Sequence, residues 1–285
     1  MITKAYLMRG IGDALNARDF LFAYCEQKHI RQKDITIFTS LHKNIFEDTE
    51  FRIEPAEKID PRQLVLYGNF GNFDLPKTYF CRRFDECIAV NARINYSFEK
   101  IYSLHWTADI SHLKLPERFI TVNYGHDNHS NPNKICTKMW SMKYWEALVS
   151  MLKIPCVQVG AGWSCKPIKG VALNLVDKLS LKQSAEVMKK ALFHIDIEGG
   201  LVILNYHIGV KSVVLFGPTD PKHFGKKGNL NLRKSNCNPC SGAVDITGQR
   251  NIALYVWRHP CQSRCMETLT PDYVLDKIKQ EGWLK

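Results

Sequence analysis

The chain has 285 residues, 45% apolar and 24% charged, a length and balance suited to two globular units with real cores. No run approaches the ~18 apolar residues of a membrane span, and residues 1–9 lack the basic start, long apolar run and cleavage site of a secretory signal. The expectation is therefore a soluble, cytoplasmic protein. Its 39 basic and 28 acidic residues leave a net charge of +11, which favours an anionic partner without choosing among nucleic acid, acidic lipid and a phosphorylated substrate.

In chain order, Ala5-Tyr6-Leu7-Met8 reads as a strand and Arg9-Gly10-Ile11-Gly12-Asp13 as a glycine turn. Ala14, Ala17, Leu21 and Tyr24 then recur at helical spacing. Residues 34–40, 63–67 and 87–90 read as further strands, and the asparagine-rich stretch 68–73 as a loop. A second cycle opens after Leu115-Pro116 with a strand at 119–122, a polar exposed segment at 125–137, and a helix around 143–152 that Lys138-Met139-Trp140 introduces. A strand at 155–159 ends in Gly160-Ala161-Gly162, and Ser180-Leu181-Lys182-Gln183 is a capping-box pattern opening a helix to Ala191. A strand at 193–196, the turn Glu198-Gly199-Gly200, a short helix at 201–208 and a buried strand at 212–216 come next, ending in Gly217-Pro218-Thr219-Asp220-Pro221. The last helix is expected over 271–282. Strands alternating with helices predict an α/β fold with parallel sheets covered on both faces. The pattern divides into two halves, 1–115 and 116–285, and ligands of such sheets bind at the carboxyl ends of the strands.

Two cysteine pairs, Cys237-Asn238-Pro239-Cys240 and Cys261-Gln262-Ser263-Arg264-Cys265, have the spacing of a tetrahedral tetrathiolate site for structural zinc or iron. Four reduced thiols, or two disulfides in an oxidising compartment, are the alternatives. Four protein ligands leave no open position, so no catalytic metal is expected. Cys25, Cys81, Cys87, Cys136, Cys156 and Cys165 show no such pairing and read as small core residues.

Glu198-Gly199-Gly200-Leu201-Val202, a short helix, and the run from Gly209 through Leu215-Phe216-Gly217-Pro218-Thr219-Asp220-Pro221 resemble the C-terminal signature of glycosyltransferase family 9, the ADP-heptose:lipopolysaccharide heptosyltransferases. Gly12-Asp13, Lys138-x-Trp140, Gly160-Ala161-Gly162 and the cysteine cluster occur in that family's order. The resemblance implies a GT-B fold, two Rossmann-like domains facing across a cleft. The N-terminal domain, 1–115, would bind the acceptor; the C-terminal domain, 116–285, would bind the nucleotide sugar and carry a cysteine finger at 237–265. It further implies inverting transfer of a sugar, heptose above all, from a nucleotide-diphosphate donor, with ADP-heptose favoured. The acceptor would be a hydroxyl of a lipopolysaccharide or other lipid-linked glycan, or of a protein.

By that resemblance Asp13 matches the catalytic base and Lys138 the lysine that contacts the donor phosphates. Gly199 and Gly200 would bring backbone amides to the diphosphate at a helix end, Glu198 would accept sugar or ribose hydroxyls, and Thr219 and Asp220 would touch the donor. Each has a plainer reading: helix capping for Asp13, Thr219 and Asp220, solvation for Lys138, an ordinary turn for Gly199-Gly200. One departure stands out. Many members carry a histidine where this chain has Ile203, and His207, one turn on, is not assumed to replace it. A lipid acceptor would place the enzyme peripherally on the anionic inner face of the inner membrane. The alternatives are a sugar-nucleotide-binding protein without turnover and a basic nucleic-acid-binding protein with a zinc knuckle. The second lacks the interleaved aromatic and basic residues of a stacking platform, so no nucleic acid is expected.

Overall fold

A computed structural model describes residues 1–7, 10–67, 71–74, 92–97, 99–125, 137–162, 165–235, 239 and 264–284. The expected strand at 87–90 lies outside these residues, as does most of the polar segment 125–137. The described residues form two compact units that divide between Ser103 and Leu104.

In the first unit β1 (Lys4–Tyr6) leads into α1 (Ile11–Lys28), with β2 (Thr36–Phe38), β3 (Arg52–Glu54), β4 (Val65–Tyr67) and β5 (Gly71–Phe73) after it. The sheet order is β3-β2-β1-β5-β4. β1, β2 and β3 are parallel, with Ala5 opposite Ile37 and Ile37 opposite Ile53, while β5 runs antiparallel to β1 and β4. Residues 71–73, expected in a loop, are thus a strand: pairing on both sides overrides a local composition poor in strand formers. The three-residue β3 was not foreseen either.

The helix α1 starts earlier than its apolar spacing indicates. Gly10 is its extended N-cap, and its carbonyl accepts the Ala14 N–H at 3.1 Å. Gly12 and Asp13 therefore lie in the first helical turn rather than in a turn before it. The helix ends at His29, whose left-handed backbone (φ 53) returns its N–H to the last carbonyls. Ala14, Leu15, Ala17, Phe20, Leu21 and Tyr24 are buried with Ile2, Ala5, Ile35 and Ile37, and the Ile2 N–H donates to the Tyr24 hydroxyl at 2.8 Å. Arg18 is a buried charge with an explanation. It donates to Asp48 at 2.9 Å and to the Tyr102 carbonyl at 2.6 Å, and lies 4.6 Å from the Phe22 ring centroid.

The second unit comprises β6 (Ile120–Val122), α2 (Met142–Met151), β7 (Cys156–Gln158), β8 (Leu173–Asn174), α3 (Leu181–Lys190), β9 (His194–Ile197), α4 (Gly200–His207), β10 (Ser212–Leu215), α5 (Pro221–Phe224), β11 (Leu230–Leu232), α6 (Arg264–Glu267) and α7 (Pro271–Gln280). Its strands are parallel in the order β11-β10-β9-β6-β7-β8. Counted from β6 this is 3-2-1-4-5-6 read from the β8 edge, the doubly wound order that reverses between β6 and β9. The edge strands β8 and β11 are too short to leave a periodic signal and were not foreseen.

Ile120, Val122, Ile195, Ile197, Val213 and Leu215 pack into one core with Trp140, Trp145 and Leu148 and with Val274, Leu275 and Ile278 of α7. Trp140 and Trp145 meet edge to face at 5.0 Å, and the Trp140 indole N–H donates to the Leu269 carbonyl at 2.8 Å. Lys138-x-Trp140 thus opens α2 by burying its tryptophan and leaving its lysine near the strand ends. The capping box forms as expected: Ser180 Oγ accepts from the Gln183 N–H, and Gln183 Oε1 from the Ser180 N–H.

The second unit begins at Leu104. The Leu104 N–H donates to the His207 carbonyl at 3.1 Å and Gln183 donates to the Asp109 carbonyl at 3.2 Å, which ties 104–109 to α4 and α3. Among the described residues no helix is long and apolar enough to cross a membrane.

Candidate functional site

A parallel sheet whose strand order reverses leaves a crevice outside the carboxyl ends of the two strands at the reversal, because the loops leaving them depart to opposite faces. Here those strands are β6 and β9. β9 runs on into Glu198, Gly199 and the start of α4; β6 runs on into Asn123, Tyr124 and Gly125; β10 delivers Gly217 to Asp220 alongside.

Three residues singled out from sequence meet there. The Lys138 ammonium is ion-paired with Glu198, their side chains 14% and 16% exposed, and the Thr219 hydroxyl donates to the same Glu198 oxygen at 3.2 Å. The pair is accessible enough to exchange partners and dry enough for a new anion to interact strongly. Gly199 is the extended N-cap of α4 and makes no side-chain cap, so the first N–H groups of α4 are not taken by a cap side chain. A Cβ at Gly199 would only touch the Ile197 carbonyl at 3.7 Å. Packing does not demand this glycine, whereas close approach of a ligand to the backbone would.

Asp220 takes the plainer role. As N-cap of α5 it accepts the Lys222 N–H at 2.9 Å, with Pro221 at the first helical position. His207 is buried, and its Nδ1 lies 2.8 Å from the Ile203 carbonyl, one turn back along α4. It does not stand where a histidine at Ile203 would.

Asp13 lies in the first turn of α1, half-buried. Gly10 has open space where a Cβ would be. The capping reading of Asp13 does not apply, since Gly10 is the N-cap.

A polar cluster missed in the sequence lies beneath the crevice. Asp196 of β9 is 1% exposed and accepts from the Asn123 amide at 3.1 Å and from the Ile197 N–H at 2.7 Å. His194 Nε2 lies 3.5 Å from the Asp196 carboxyl, and its Nδ1 lies 3.0 Å from the Thr121 hydroxyl. Asn123 Oδ1 in turn accepts from the Cys165 thiol at 3.3 Å. Burial pushes the Asp196 carboxyl up from its ordinary range, and the hydrogen bonds from His194, Asn123 and Ile197 offset this only in part. Burial, with the nearby Asp196 charge, also pushes the Cys165 thiol up to about 12. The available signal was His194-Ile195-Asp196-Ile197: an aspartate inside a strand covered on both faces has to be paired or protonated.

Of the four cysteines expected to hold a metal, Cys237, Cys240 and Cys261 lie outside the described residues. Cys265, on α6, is buried, and a Cβ built on Gly217 would come within 3.2 Å of its sulfur and 2.4 Å of Met266 Sδ. Among the described residues no group of three or more metal-binding side chains converges. Cys25 and Cys156 are buried, as expected of small core residues, and burial raises their thiols to about 11 and about 12. Cys81, Cys87 and Cys136 are outside the described residues.

No protein-family model and no curated protein matches the sequence. Solved structures do match in fold. The dodecameric iron-containing heptosyltransferase TibC, in complex with ADP-D-beta-D-heptose, superposes with a TM-score of 0.69 at 14% identity over 99% of this chain and 76% of its own. A glycosyl transferase of family 9 from Veillonella parvula gives 0.63 at 14% identity, over 99% of this chain and 96% of that one. The Escherichia coli heptosyltransferase WaaC with ADP-2-deoxy-2-fluoro heptose gives 0.52 at 14% identity, over 98% and 99%. The chain thus has the two-unit α/β fold of the GT-B heptosyltransferases.

Proposed function

We propose that this chain is a glycosyltransferase that moves a sugar from a nucleotide-diphosphate donor to an acceptor hydroxyl with inversion. The observation that carries the reading is the meeting of Lys138, Glu198 and the start of α4 at the strand-order reversal between β6 and β9. In this reading a donor diphosphate lies over the first turn of α4, where N–H groups and the helix dipole favour an anion. The Lys138 ammonium moves from Glu198 onto the phosphate oxygens as negative charge builds on the leaving group. Glu198 is thereby freed to accept hydroxyls of the ribose or sugar, with Thr219 steadying its carboxylate. Asp13, in the first unit, takes the acceptor proton. The acceptor oxygen bonds to the anomeric carbon as the bond to the diphosphate oxygen breaks, and the nucleoside diphosphate leaves with the electron pair.

ADP-heptose is the favoured donor, because fold neighbours were crystallised with ADP-heptose or its fluoro analogue. Gly200 opens α4 and belongs to the same backbone grip, while Asp220 shapes the loop that carries Thr219. A tetrathiolate of Cys237, Cys240, Cys261 and Cys265 would be structural, and TibC is described as iron-containing. Such a site would brace the Gly217–Asp220 loop through Cys265, and no step of the transfer passes through it. The acceptor is a lipid-linked glycan or a protein. The +11 charge fits the first, with the enzyme held at an anionic membrane face.

The test is a thermal-shift series of the purified full chain with ADP, GDP and UDP. A ligand that binds only the folded state stabilises it by RT ln(1 + [L]/Kd). Stabilisation by ADP above the other two is the expected result, and no shift with any of them sinks the reading.

A further inference from the structure

The cluster beneath the crevice contains a carboxyl that the proposed transfer does not use. On β6 and β9 the register places Thr121 opposite His194, and Asn123 and Asp196 lie two residues further along each strand. Side chains two apart share a face of a sheet, so these are two adjacent polar rungs, the upper one at the strand ends. His194 is 0% and Asp196 1% exposed. Such a pair in a dry sheet has two states of interest. With one titratable proton shared between carboxyl and imidazole it is net neutral, whichever group holds the proton; without it the pair carries a full negative charge.

Within the described residues, the groups acting on the Asp196 carboxyl are His194, Asn123 and the Ile197 N–H. The Cys165 thiol reaches the cluster through Asn123, and burial keeps that thiol protonated to about pH 12. Helices α3 and α4, which cover β6 and β9, bury Ser184, Ala185, Val187 and Met188, and Val202, Leu204, Asn205 and His207. The His207 ring turns to the Ile203 carbonyl. The charged groups of α3, Lys182, Glu186, Lys189 and Lys190, are not among its buried residues, and Glu186 pairs with Lys189 at 2.8 Å.

We propose that Asp196 and His194 form a one-proton, net-neutral pair that holds Asn123 as a rigid, uncharged floor under the diphosphate site, and that loss of this proton weakens diphosphate binding. The inference rests on the reading of the crevice as a diphosphate site. Asp196 is a positioning residue here: it touches neither donor nor acceptor. An ionised carboxylate two residues before Glu198 would repel a bound diphosphate, and at a separation of several ångströms in a partly dry site one added charge weakens binding roughly tenfold or more. Asparagine at 196 reproduces the neutral state, with its oxygen accepting from Ile197 and Asn123 and its amide donating to His194, and it cannot ionise.

Linkage gives a second signature without ligand. In an unfolded chain the imidazole keeps its proton up to about pH 6.5. Under this proposal the folded pair, its Asp196 carboxyl raised by burial, holds its proton above that point, where the native state then binds more protons than the unfolded one. The folded-to-unfolded ratio then falls with rising pH, by at most about tenfold per unit, until the buried pair lets go.

The experiment measures ADP affinity by calorimetry, and urea unfolding without ligand, from pH 6 to 9.5 for wild type and Asp196→Asn. The wild type is expected to lose roughly tenfold more ADP affinity across this range than Asp196→Asn, and to show the steeper alkaline loss of stability. Parallel pH profiles for the two proteins overturn the proposal. If neither binds ADP at any pH, the diphosphate reading fails, and the ligand-free unfolding profiles still decide the proton-holding pair. Should Asp196→Asn not fold, His194→Gln serves: the unfolded chain then releases its proton at about pH 3.9 while the buried carboxyl keeps its own, so stability is already falling with rising pH at pH 6, and a profile flat there counts against the pair.

Discussion

Replacing Gly160 by alanine probes the floor of the crevice from the β7 side. Gly160 has φ +128, a conformation that side chains resist, and a Cβ there would lie 2.4 Å from Asn123 Oδ1 and 2.6 Å from Cys165 Sγ. The backbone strain costs about 1–2 kcal/mol. The overlap adds about 1–3 kcal/mol, because neither contacting atom is the end of a freely moving chain: Asn123 is locked by Asp196 and Gly125, and Cys165 by Asn123 and the neighbourhood of Gln158. The sum is about 2–5 kcal/mol, or a Tm lower by roughly 5–15 °C for a unit of this size. Gly162 is the matched control, since its φ is +91 with open space around the Cβ position, so alanine there meets only the backbone term. Thermal and urea denaturation of both variants measure the difference. Equal losses for Gly160→Ala and Gly162→Ala would refute the claim that Asn123 is held rigidly against this turn.

The geometry sets three further outcomes. Lys138→Met removes the cation from a pair whose side chains are about 15% exposed, so it is expected to weaken ADP binding by roughly ten- to a hundredfold, about 1.4–2.7 kcal/mol, as calorimetry would read. At pH 8 a thiol with its pKa at about 11 is only about 0.1% thiolate, so Cys25, and still more Cys156 and Cys165 at about 12, should resist alkylation in the native chain and react after denaturation, as mass spectrometry would show. Elemental analysis of the purified chain should find about one zinc or iron that Cys265→Ser loses; equal metal content in the two would remove Cys265 from the ligand set.

The features legible in the sequence had a repeating physical cause. The alternation of strands and helices, the α1 spacing, the Ser180–Gln183 box and the glycine turns after β7 and β9 all come from local rules. Those that were missed depended on pairing between distant segments. Strands β3, β8 and β11 are two or three residues long, and β5 exists because β1 and β4 flank it. The start of α1 was placed late because Gly12 interrupts the apolar spacing without ending the helix. At the site, Lys138, Glu198 and Thr219 were recognised one by one, but their convergence on one carboxylate depends on the strand order, which no single segment encodes. Asn123 and Asp196 went unnoticed for the same reason: only the register of β6 against β9 makes them partners. The tetrathiolate motif keeps the support of its spacing and, through Cys265, a described position against Gly217.

The most direct measurement of the central claim is release of ADP from ADP-heptose by wild type and Asp13→Ala, with ADP affinity measured on the same preparations. Slow release by the wild type that falls at least a hundredfold in Asp13→Ala, with ADP affinity preserved, is the predicted result. Tight ADP binding by both proteins with no release by either, even when candidate glycan and protein acceptors are supplied, would contradict the transferase account and leave a nucleotide-sugar-binding protein.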